Sequence, residues 1–211
     1  MKEKKIQYTT DDIQALEGQA HVRMRPQMYF EKVYAEKSLD RLPLEIACHA
    51  FDEVMDKNCS YIKITLFSDY FSLEYDAGMS LKAVHRNDTM THAEMIMTTI
   101  TACRNYKKHL SVGDEFCELG ITAINAASEW CKLLTYSNGQ KGEFLFKEGK
   151  TETRAITKSD ENKNYTKLTV KPDATIFPNL KINSKTLQQK IDVVSEKLDG
   201  FDIQLHIESS K

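Results

Sequence analysis

Residues 43–78, PLEIACHAFDEVMDKNCSYIKITLFSDYFSLEYDAG, change hydrophobic period part-way along, and the two periods decide the class of fold. Leu44, Cys48, Phe51 and Met55 recur at steps of four, three and four, which predicts one helix with an apolar stripe turned to a core. Pro43 stands where a helix begins. Then the period drops to two. Ile62, Ile64 and Leu66 alternate with polar residues, and Phe71, Leu73 and Tyr75 do so again after Ser68-Asp69-Tyr70, the pattern of a β-hairpin with one buried face.

Working outward, an acidic start at Asp11, the pair Ile13/Leu16 and Gly18 predict a short helix closed by the glycine. The Arg25-Pro26 step then predicts extended chain, because the proline ring crowds the residue before it out of the helical region. Residues 1–30 thus read as an arm and a turn, and 31–211 as a single domain. Helices are expected over 92–106 and 119–128, and strands near 131–137, 142–148, 151–157 and 166–171. Asn138-Gly139 supplies a hairpin turn. Asn183 or Ser184 caps a helix running to about Leu198 with Gly200 closing it, and 202–207 alternates as a last strand. Interleaved helices and hairpins predict an α+β two-layer sandwich: a mixed, mostly antiparallel sheet with helices on one face.

Composition narrows the function classes. With 41% hydrophobic and 28% charged residues the chain can bury a sizeable core. Its 29 basic and 31 acidic residues are scattered without a block, so direct DNA binding by this chain alone is not expected, since a phosphate-binding surface needs clustered cations. Five cysteines, odd in number and without metal-ligand or redox spacing, read as free thiols. The start lacks the apolar stretch of a signal peptide and no apolar run is long enough to span a membrane, so the cytoplasm is the expected location.

Two features carry candidate chemistry. Glu45, His49, Asp52 and Asp56 repeat the rhythm of the apolar stripe one residue out of phase, forming a polar stripe beside it. Such a stripe can line a cleft, and Glu45 with His49 can bind a cation or orient a water. It can equally be a solvated face in which a Glu-His pair adds roughly a few tenths of a kcal/mol. Asp76-Ala77-Gly78 places an acid at a strand end and a glycine where a ligand or another backbone can approach closely. Periodicity and spacing support a cleft here and name no ligand for it.

A longer pattern names one. Tyr8-Thr9-Thr10-Asp11-Asp12-Ile13-Gln14-Ala15-Leu16-Glu17-Gly18, with Val22-Arg23-Met24-Arg25-Pro26-Gln27-Met28-Tyr29, resembles the N-terminal arm of gyrase B and of the corresponding topoisomerase IV protein. In order follow Glu45-Ile46-Ala47-Cys48-His49-Ala50-Phe51-Asp52-Glu53, Asp76-Ala77-Gly78, Ala93-Glu94-Met95-Ile96-Met97-Thr98, Thr122-Ala123-Ile124-Asn125-Ala126-Ala127-Ser128 and Thr166-Lys167-Leu168-Thr169-Val170-Lys171-Pro172-Asp173. The resemblance implies the GHKL (Bergerat) ATPase fold, with ATP and Mg²⁺ between helices and sheet. It implies Glu45 as the general base for the hydrolytic water, Asp76 as the carboxylate that reads adenine, Gly78 as the space for the ring and Thr166 as the support of Asp76. His49, Asp52, Met79, Ile96 and Gly120 complete the implied nucleotide-contacting set, and no metal ligand set is assigned.

Departures from the family pattern shape the expected activity. His49 stands where the family has an Mg²⁺-holding Asn, and imidazole suits softer metals. The glycine-rich phosphate lid is nearly gone: its glycines fall on Cys103 and Arg104 and on Asp114-Glu115-Phe116-Cys117-Glu118-Leu119-Gly120, of which Gly120 alone survives. Glycines let backbone N–H groups approach phosphate, whereas acids beside a triphosphate repel it by about 4 kcal/mol per close pair at ~4 Å and an effective dielectric of ~20. The expectation is a gyrase-B-like adenine-nucleotide-binding domain with little or no hydrolysis. The alternatives are a pseudo-ATPase that binds a protein partner or forms a homodimer through the Tyr8-bearing arm, and a working ATPase component of a type II topoisomerase-like system.

Overall fold

The computed structural model describes residues 18–84, 89–100, 112 and 120–208. Three short helices open this part: α1 (Gly18–Met24), α2 (Pro26–Tyr29) and α3 (Glu31–Glu36). Next come α4 (Leu42–Glu45), α5 (Cys48–Met55) and the hairpin β1 (Ile62–Leu66) and β2 (Phe71–Tyr75). Then follow α6 (His92–Thr98), α7 (Gly120–Ala126), β3 (Ser128–Ser137), β4 (Gln140–Lys147), β5 (Lys150–Lys158), β6 (Tyr165–Pro172), α8 (Ser184–Lys197) and β7 (Ile203–Ile207).

The strands form one seven-stranded sheet in the order β5-β4-β3-β6-β2-β1-β7. All neighbours are antiparallel except β1 and β7, which are parallel. The alternation foreseen for the first hairpin sets its register, Leu66 opposite Phe71 and Ile62 opposite Tyr75, so one face carries Ile62, Ile64, Phe71, Leu73 and Tyr75 fully buried. Leu168, Val170, Cys131, Leu133, Phe144 and Phe146 extend that face across the sheet. The other face is polar: Glu74 bridges Lys63 and Lys167 there. Helices lie on the apolar face, and α7, with all seven of its residues buried, is the central one. A helix buried all round has to be enclosed by its neighbours. The predicted two-layer α+β sandwich is the one observed.

The turn at Asn138-Gly139 has positive φ at both residues, 52° and 73°, the left-handed pair that suits a two-residue hairpin. Asn183 caps α8, its side-chain oxygen accepting from the N–H groups of Lys185 and Thr186.

Four local expectations are corrected. Gly18 lies in a helix that runs on to Met24 rather than closing one; the residues before it lie outside the described part. The extended chain expected at Arg25-Pro26 is absent: Arg25 (φ −129°, ψ 52°) is a one-residue break outside both the helical and the extended regions, and Pro26 takes the first position of α2, where its missing N–H costs nothing. The described portion of the arm is packed: Val22 and Phe30 are buried, and Arg23 donates to the carbonyl of Ala126 (3.0 Å) and the carboxylate of Asp173 (2.6 Å). The single helix expected from Pro43 to Met55 is two, separated at Ile46-Ala47, and the helix expected over 92–106 stops at Thr98 because Thr99 is extended (φ −107°, ψ 115°). Thr122 stabilises that stop, its hydroxyl lying 2.8 Å from the carbonyl of Ile96 and 3.1 Å from that of Thr99.

Candidate functional site

Residues in register across antiparallel strands point to the same face, and this rule reorganises the predicted site. Tyr75 pairs with Thr166, and Thr166 with Thr135, so these three share one row on the helix-covered face. Tyr75 has no exposed surface. Its hydroxyl lies 3.0 Å from Nδ1 of His49 on α5, with the Thr166 hydroxyl also in reach, and burial pushes the phenol well above its ordinary pKa. The Thr166 hydroxyl donates to the carbonyl of Ala77 at 2.7 Å and is 3.0 Å from the Thr135 hydroxyl, which in turn accepts from the N–H of Met79 at 2.9 Å. Every polar group in this row is satisfied by protein.

Asp76, one residue on, points the other way. Its carboxylate accepts from the N–H and hydroxyl of Ser60 and from the N–H of Tyr61, with the N–H of Ser60 at 2.8 Å. Partial burial alone raises its pKa, but the hydrogen bonds from Ser60, Cys59 and Tyr61 outweigh burial and hold it below the ordinary range. The adjacent Cys59 thiol is pushed up to about 12, by burial first and by Asp76 second. The structure therefore does not bring Asp76 and Thr166 together; the residue facing Thr166 is Tyr75.

Gly78 has a different reason from the one foreseen. A Cβ there would sit 2.1 Å from the carbonyl oxygen of Tyr136, so the glycine lets the chain leaving β2 cross the end of β3, and what fills its space is backbone. Met79 is fully buried beside it.

The helical residues are also divided. His49 sits between Tyr75 and Glu53, with Nε2 3.6 Å from the Glu53 carboxylate one turn on. Glu45 is 2% exposed and lines a recess of about 240 Å³ with Met28, Tyr29, Phe30 and Arg41. Asp52 is half-buried, Ile96 packs against the core, and Gly120 opens α7 with φ 74°. Among the described residues no group of three or more His, Cys, Asp or Glu is placed so that it could hold a metal ion. Cys103, Arg104 and the run 114–119 lie outside the described residues. A polar recess of about 330 Å³ remains beside Gly78, lined by Glu53, Asn58, Ala77, Ser137, Asn138 and Asn164. Trp130 is half-buried near Tyr70, with Lys132 5.1 Å above its ring. Among the described residues no helix is long and apolar enough to cross a membrane.

Sequence reasoning missed Tyr75. The signal was present in the hairpin pattern itself: if Phe71, Leu73 and Tyr75 face the core, strict alternation sends Asp76 to the opposite face.

No family model matches the chain. It is 28% identical over 201 residues to the DNA gyrase B protein of Rickettsia typhi, covering 94% of this chain, and 28% identical over 194 residues to the type 2 topoisomerase B protein of Aquifex aeolicus, covering 91%. The chain spans about a quarter of the length of these curated relatives. Among solved structures, the 43K ATPase domain of Thermus thermophilus gyrase B in complex with an aminocoumarin superposes with a TM-score of 0.70 at 21% identity, over 90% of this chain and 48% of that one. The topoisomerase IV ATP-binding domain of Francisella tularensis, in complex with a small-molecule inhibitor, gives 0.69 at 22% identity over 91% of both chains. Likeness at this identity shows the fold, and the sequence matches run through nearly the whole chain: the chain has the fold of the gyrase B and topoisomerase IV ATPase domains and is similar in sequence to gyrase B proteins over more than nine tenths of its length.

Proposed function

We infer that this chain is a gyrase-B-type ATP-binding domain whose base-reading position has been given over to the core, so that it holds adenine nucleotide weakly or not at all and serves as a protein-interaction module. One observation carries the reading. The position facing Thr166, where the family pattern calls for a carboxylate, holds the fully buried Tyr75, and its hydroxyl is already engaged by His49. A neutral phenol tied into the core cannot accept the adenine amine as a carboxylate does, and displacing it would open a large cavity.

The groups the family uses for ATP and Mg²⁺ do not fit here. Asp76 is committed to the loop at Ser60 and Tyr61, and His49 to Tyr75 and Glu53. No hydrolytic step is assigned to Glu45. A second reading, weak adenine-nucleotide binding, draws on the open polar recess beside Gly78. The strand passage implied by the names of the relatives would need the remaining three quarters of their length, and a role within such an assembly is a proposal of contact with it.

Calorimetry of the folded chain with ATP, ADP and adenosine, with and without Mg²⁺, separates these readings. The expected result is no saturable heat up to about 1 mM, the concentration that corresponds to about −4 kcal/mol of binding. Micromolar binding that Thr166→Val abolishes would overturn the reading and restore the site implied by resemblance. Mg²⁺-dependent phosphate release lost in Glu45→Ala would restore the working ATPase.

A further inference from the structure

We draw no further inference here: the strongest candidate, the apolar cleft of about 490 Å³ between the β1–β2 turn and residues 173–182, lined by Leu39, Leu66, Phe71 and Phe177, carries nothing because its rim acids Asp69 and Glu129 are already paired with Lys171 and nothing in the structure shows what covers it.

Discussion

Two adjacent residues, Tyr75 and Asp76, decide what the site can be. They face opposite sides of the same strand end, one locked to His49 and the other to Ser60 and Tyr61. Removing the Tyr75 hydroxyl takes away the buried group that lies 3.0 Å from Nδ1 of His49. Tyr75→Phe should therefore cost about 1–2 kcal/mol, seen as a lower urea midpoint at constant slope. Asp76 makes a pH prediction. Its folded-state pKa lies below the ordinary carboxylate value, so its contribution to stability is fully present above that ordinary value, ~4, and is lost as pH falls through the depressed one. The difference in unfolding free energy between wild type and Asp76→Asn should accordingly be largest at neutral pH and vanish in acid. A difference that instead grew below pH ~4 would contradict the hydrogen-bonded carboxylate.

Glycines are separated by what fills the space beside them, and that comparison belongs to the elements they join. At Gly78 the obstacle to a Cβ is the Tyr136 carbonyl oxygen at 2.1 Å, part of the rigid backbone of β3; at Gly142 it is the end of the Leu81 side chain at 2.5 Å. Backbone cannot move aside without breaking the β3 ladder, whereas a leucine can rotate. Gly78→Ala should thus destabilise by more than about 2 kcal/mol and Gly142→Ala by less, both measured by thermal unfolding. Helix α8 is held at its start by Asn183, whose side chain takes two of the otherwise unpaired N–H groups. Asn183→Ala should cost about 1 kcal/mol without altering the rest of the fold. Its buried residues Leu187, Ile191 and Val194 recur at four and three, so the helix remains amphipathic and docked after the cap is lost.

For the molecule as a whole, ligand linkage gives the broadest test. A ligand at about one hundred times its dissociation constant adds about 2.7 kcal/mol of stability, which in a chain of this size raises the melting temperature by roughly 5–10 °C. On the proposed reading, in which Tyr75 closes the position opposite Thr166 to a base, Mg²⁺-ATP at about 1 mM should leave the melting temperature unmoved. A rise of that size would show a competent nucleotide site with a dissociation constant of about 10 μM.

Most of the architecture was legible from the chain alone. The step from four-three-four spacing to alternation after Asn58 announced helix and then hairpin, and Asn138-Gly139 and Asn183 marked their turn and cap, because these depend on local geometry and nearby backbone groups. The resemblance from Glu45 to Asp173 carried the fold to its family for a related reason: the order of elements along a chain survives divergence of side chains. What tertiary structure alone decided was which side chain stands opposite which. Aligning Asp76 on its neighbours in sequence puts a carboxylate in the cleft, but the β2–β6 register pairs Thr166 with Tyr75, and the period-two geometry of a strand then turns Asp76 out of the cleft toward Ser60. Likewise Gly78 looks the same in sequence whether its space belongs to a ligand or to another strand, and only the path of β3 past it shows that the Tyr136 carbonyl is there. A one-residue difference in register exchanges the two faces of a strand, so the composition of this site was fixed across strands, by pairing between segments about ninety residues apart, rather than along them.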